Sequence, residues 1–144
     1  MQTYDADIVT WSQEQARLLR MGQFNALDIE HLAEEIEDVG RSEQRELASR
    51  MAILLAHLLK WQYQPERRGA SWEVTMNGQR DRILHRLEKT PSLKAVLNDP
   101  EWWADAWFDA RLEATKETGI EIQRFPATCP WTVEQVLGEG WLPE

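Results

Sequence analysis

The sequence predicts an all-α protein, a single-domain helical bundle without a β-sheet, and three observations carry that expectation. Glycine is scarce, at 7 of 144 residues, and no alternating apolar–polar run marks a strand. The six prolines stand where helices start or stop. Apolar and small residues recur in steps of three and four over one long stretch, at Ile29, Ala33, Ile36, Gly40, Leu47, Met51, Leu54 and Leu58.

The elements follow in order. Asp5 or Asp7 can cap a first helix that runs to about Arg20, with Val9, Trp11, Ala16, Leu18 and Leu19 apolar and Gly22 ending it. The long stripe stays in phase across Gly40, which predicts one helix over residues 28–63. About 36 residues at roughly 1.5 Å each would span about 54 Å, so a break at Gly40-Arg41-Ser42 is the alternative. Charge order favours one dipole, with Glu30, Glu34, Glu35, Glu37 and Asp38 early and Arg41, Arg45, Arg50 and Lys60 late. Leu54, Leu55, Leu58 and Leu59 cover a wide arc, which predicts a helix surrounded by others. Pro65 then stops it, and residues 64–70 read as an exposed basic loop. Ser71 is the expected N-cap of a third helix to about Lys89, with Trp72, Met76, Ile83, Leu84 and Leu87 inward. Thr90-Pro91 starts a short helix over 92–97, and Asp99-Pro100-Glu101 starts a longer one that stops at Gly119. Thr132 with Gln135 makes a capping box over 133–137, after an extended FPATCPW segment.

Composition narrows the function. The single cysteine excludes a disulfide framework and any zinc site that needs two thiolates. No run of about 18 apolar residues exists, and MQTYDADIVTW lacks the features of a signal peptide, so a cytoplasmic protein with no membrane partner is expected. The net charge of −9 opposes approach to nucleic-acid phosphates. It is unevenly spread: residues 1–39 carry −7, residues 40–94 carry +5 and residues 95–144 carry −7. That order fits either internal charge complementarity or a basic face offered to an anionic partner.

The runs LAEEIEDVGRSE (32–43), LLAHLLKWQYQPERR (54–68), SWEVTMNGQR (71–80), PSL (91–93), ETG (117–119) and FPATCP (125–130) together resemble the bacterial family known as domain of unknown function 29. The resemblance covers nearly the whole chain in the same order. It implies an all-helical fold and supplies no activity.

Several polar groups stand out. His31, Glu34, Glu35 and Asp38 share one helix face at a spacing that could chelate a divalent metal, with His57 a further candidate ligand. That face lies opposite Ile29, Leu32, Ile36 and Val39, so the competing reading is a solvated acidic surface. Glu43 falls in the phase of the buried stripe and needs a partner, for which Arg80 and Arg82 are available. A Glu43–Arg80 or Glu35–Arg80 pair is expected, or else Arg80 binds a ligand in an interhelical pocket with Gln79, Ser71 and Lys60. His57 reads as a histidine at the core boundary and, less readily, as a general base. Cys129 reads as a docking residue of the tail, or as a nucleophile if His57 or His85 meets it. Trp11, Trp61, Trp72, Trp103 and Trp107 are expected in the core, while Trp131 and Trp141, with Arg67 and Arg68, are candidate partner contacts.

Phosphate-binding glycine loops, HExxH, EF-hand and nucleophile-elbow motifs are all missing. The reading that follows is an interaction or regulatory module without intrinsic catalysis or cofactor, contacting a protein partner or a second copy. The alternative is a helical-bundle protein that binds a metal or a small ligand.

Overall fold

The computed structural model describes residues 3–144, and the protein is all-α, with no strand among the described residues. Its helices are α1 (Ile8–Arg20), α2 (Ile29–Tyr63), α3 (Ala70–Lys89), α4 (Pro100–Thr118) and α5 (Val133–Leu137). Short 3-10 segments lie between them at Phe24–Ala26, Pro65–Arg67, Pro91–Asn98 and Ile122–Arg124. The chain divides into two compact units, residues 1–42 and 43–144, and the division falls inside α2.

In the first unit Asp7 caps α1 by accepting from the Thr10 amide at 3.1 Å. Gly22, at φ +71°, closes α1; the next amide, of Gln23, reaches back to the Leu18 carbonyl at 2.9 Å. Only three side chains of α1 are buried, Trp11, Gln15 and Leu18. Val9 and Leu19, two of the apolar members read from the sequence, are exposed. The first part of α2 departs further from expectation: Ile29, Ile36 and Val39 lie in solvent, while His31, Leu32, Glu35 and Asp38 are the half-buried positions.

The helix passes through Gly40 without interruption, so the single-helix expectation holds over the break. A side chain at Gly40 would meet open space. In the second unit the stripe behaves as predicted: Leu47, Met51, Leu54, Leu55, Leu58 and Leu59 are fully buried. Around them gather Met76, Ile83 and Leu87 of α3, Leu93, Trp107 of α4, Phe125 and Val136 of α5. Leu84, expected inward, is 46% exposed.

α3 begins two residues before the sequence expectation, at Ala70 behind Gly69, with no side-chain cap. Ser71 therefore lies inside the helix, where its carbonyl accepts from the Thr75 hydroxyl. The short helix after Thr90-Pro91 is 3-10 and covers Pro91–Asn98. Asp99 caps α4 through the Glu101 amide at 3.0 Å. Ala106, Ala110 and Ala114 present a fully buried small-residue seam, and Gly119 ends the helix at φ +76°. The Thr132–Gln135 capping box forms as read from the sequence.

Candidate functional site

The first unit is held by polar atoms. Asp28, just before α2, accepts the Trp11 indole N–H at 2.9 Å and the His31 Nδ1–H at 2.7 Å on the same oxygen. Its backbone N–H donates to Gln15 Oε1 at 2.8 Å. Tyr4 stacks flat on His31, with centroids 4.1 Å apart, and its hydroxyl donates to Glu35. Trp11 meets Tyr4 edge-on at 4.9 Å.

The electrostatics follow from these bonds. Hydrogen bonding to Asp28 raises the His31 pKa above 6.5, and the bonds from His31 and Trp11 hold the Asp28 carboxyl below its ordinary range. The Glu35 hydrogen bond, helped by burial and nearby carboxylates, pushes the Tyr4 phenol up to about 12. Tyr4 therefore stays protonated at neutral pH and is no nucleophile. An aspartate orienting a histidine resembles half of a catalytic triad, yet the third member here is a tyrosine committed to donating. The chemistry of this network is orientation and support.

The metal reading finds no assembled site. His31 uses Nδ1 on Asp28, Glu35 receives Tyr4, and His57 belongs to the other unit. Among the described residues no group of three or more His, Cys, Asp or Glu side chains is placed to hold a metal ion.

Packing through polar atoms leaves apolar side chains outside. Ile29, Ile36 and Val39 on α2 are 68%, 70% and 66% exposed. On the α1 side, Ile8, Val9, Ala16 and Leu19 line a groove of about 410 Å³ that Leu32 and Glu35 complete. Leu32, which lines the groove, stands on α2 three residues after Ile29 and four before Ile36, so it shares a helix side with them.

In the second unit Arg80 corrects the sequence reading. It is 2% exposed, and it donates to the Val136 carbonyl at 2.8 Å, the Trp141 carbonyl at 2.6 Å and Asn77 Oδ1 at 3.0 Å. It forms no ion pair with Glu43 or Glu35: two of its nitrogens donate to tail carbonyls and the third to Asn77. Burial lowers its pKa. Glu43 instead pairs with Arg86 at 2.9 Å, one turn beyond Arg82, and is partly exposed rather than buried. Arg86 also reaches Glu46 at 3.3 Å, and Glu46 binds Arg50 at 3.0 Å.

Of the residues expected around an interhelical pocket, Arg80 is tied to the tail. Ser71 is exposed, Gln79 has a buried Oε1 without a hydrogen-bond partner, and buried Lys60 pairs with Glu117 while lying over the Trp72 ring. His57 donates Nδ1–H to the Ile53 carbonyl at 2.9 Å, and Lys60 lies 3.4 Å from its other nitrogen. Burial first, and the Lys60 charge after it, lower the His57 pKa, so it is neutral in the neutral pH range. Its ring has no orienting carboxylate bonded to it.

The tail tryptophans, expected as exposed anchors, are half-buried: Trp131 meets Trp107 edge-on at 5.5 Å and Trp141 at 5.8 Å. Cys129 sits with them beside a cavity of about 370 Å³, and burial raises its thiol pKa. Arg67 and Arg68 are exposed, and Arg68 donates to the Trp61 carbonyl at 2.7 Å while covering that ring.

The model of the family described as "Domain of unknown function DUF29" matches residues 3–142. The chain belongs to the DUF29 family. No curated protein and no solved structure matches it. The DUF29 description names no reaction, so the function of this member is argued from its own surfaces. No described helix is long and apolar enough to cross a membrane. Sequence reasoning missed Tyr4, Asp28, Arg86 and Glu117, although Asp28 and His31 stand at a spacing of three, which brings side chains together at a helix start.

Proposed function

We propose that this DUF29 protein is a protein-interaction module whose docking surface is the apolar face of the first unit. The supporting observation is the row Ile29, Ile36 and Val39, each about two-thirds exposed, on the helix whose Leu32 lines the α1 groove with Ile8, Val9 and Leu19. Isolated exposed apolar residues are ordinary, whereas a continuous patch spanning two helices is a contact surface.

Its charge selects the occupant. Residues 1–42 carry nine acids against three bases, and Glu30, Glu34 and Glu37 flank the α2 row. A second copy would bring the same acids face to face. An amphipathic helix of a partner protein, apolar on one side and basic along its edges, fits both groove and rim. The polar groups add no support for catalysis, since the His31 ring is bonded to Asp28 and the His57 ring to the Ile53 carbonyl.

Photo-crosslinking in the source cells tests this reading. A benzophenone side chain at position 36 is expected to trap one polypeptide through a basic, amphipathic segment, while the same group at position 134 on α5 traps none. Adducts only between copies of this chain, or equal yields at 36 and 134, would overturn it.

A further inference from the structure

We propose that the cleft between α2 and α3 in the second unit binds a compact phosphate-bearing anion, of the kind represented by inorganic pyrophosphate. The cleft encloses about 550 Å³ and is lined by Glu43, Arg50, Asp81, Arg82, His85, Arg86, Lys89 and Thr90. Small-ligand sites fall in this range of volume. Arg82, His85, Arg86 and Lys89 are spaced three, four and seven apart, so they form one stripe along α3, and Arg50 joins them from α2.

The cations divide into two sets. Arg86 and Arg50 are fixed by Glu43 and Glu46, which holds their forks in place before any ligand arrives. Arg50 Nε is buried and lacks a hydrogen-bond partner. Arg82 and Lys89 are exposed, and neither forms an ion pair among the described residues. Four cations stand against the lining carboxylates Glu43 and Asp81 and against Glu46, which pairs with two of them, and this leaves an excess of one positive charge in a protein whose net charge is −9. The unpaired Arg82 and Lys89 suit an anion, and guanidinium forks with an ammonium suit tetrahedral phosphate oxygens.

The lining also excludes larger ligands. Every side chain in it is polar, so an acyl chain would find no apolar side chain to pack on. The site is distinct from the apolar face of the first unit and does not depend on it.

The experiment is calorimetric titration of the full chain with inorganic pyrophosphate at low ionic strength, with citrate and sulfate in parallel. One pyrophosphate per chain is expected, bound more tightly than citrate or sulfate. In R82Q/K89Q, which changes two exposed side chains, affinity falls about thirtyfold, the loss of two charge-assisted contacts. In the wild type, the His85 ring resonances shift on addition of pyrophosphate and those of His31 and His57 do not, a readout that needs no variant. No saturable binding, citrate binding as tightly as pyrophosphate, an unchanged affinity in R82Q/K89Q, or a silent His85 would each overturn the proposal.

Discussion

Replacing Arg80 by methionine removes the clamp that ties the C-terminal tail to α3. Three hydrogen bonds from a charged donor are lost, to the carbonyls of Val136 and Trp141 and to Asn77. Bonds to charged groups contribute about 1.5–3 kcal/mol each, so the gross loss is roughly 5–9 kcal/mol. Against it stands the desolvation of a guanidinium that is 2% exposed and has no carboxylate partner, several kcal/mol that methionine relieves. The net expected destabilisation is about 2–3 kcal/mol, or roughly 8 °C in Tm for a chain of this size. Arg80→Lys keeps the charge and loses the fork, so it should cost at least as much. Thermal unfolding followed by circular dichroism gives the total, and amide exchange locates it. Protection should fall first at residues 133–142, which carry the two carbonyls. An R80M protein with unchanged Tm and unchanged exchange in that segment would refute the reasoning.

Three further predictions concern single groups. The His31 ring should titrate above 6.5 by NMR, and Asp28→Asn should return it toward that value. Because the folded-state value is raised, the histidine's contribution to stability is complete below 6.5 and fades as pH rises through the folded value; the lowered Asp28 contributes above 3.8 and fades as pH falls through its own folded value, so the pair stabilises the first unit most between these limits. Glu117→Gln leaves buried Lys60 without its counter-ion and should cost about 3 kcal/mol in urea unfolding, whereas Lys60→Met, which removes the charge itself, should cost under about 1 kcal/mol. The raised Cys129 thiol should react with iodoacetamide at pH 7 much more slowly than free cysteine, and at the free rate once the chain is unfolded in urea.

The second unit was legible in the sequence because hydrophobicity marks its interior. Leu47, Met51, Leu54 and Leu58 repeat at helical spacing and are all buried, and the proline and cap signals at Asp99-Pro100 and Thr132 mark helix starts. The first unit was read inside out for a physical reason. Its inward face is built from an indole N–H, a glutamine, an aspartate, a histidine and a phenol, so the polar face of α2 packs and the apolar one does not. Apolar periodicity locates the buried side of a helix only when that side is held by apolar burial. Arg80 shows the same limit in a different form. The sequence places it at a core position, and a carboxylate was the natural partner to expect, but the tail returns two backbone carbonyls from more than fifty residues away. The cationic row from Arg82 to Lys89 was readable at its helical spacing, and its significance emerges only where Arg50 completes a cleft.

Native mass spectrometry of the tag-free protein purified gently from its own cells, alongside the I36E variant, tests the docking face most directly. Ile36 is 70% exposed, so I36E should change stability by no more than about 0.5 kcal/mol, and any effect on binding is read at the surface itself. The wild type should carry one stoichiometric polypeptide partner that I36E has lost. A wild-type chain that flies alone, or an I36E chain that keeps the same partner, would contradict the assignment of this face.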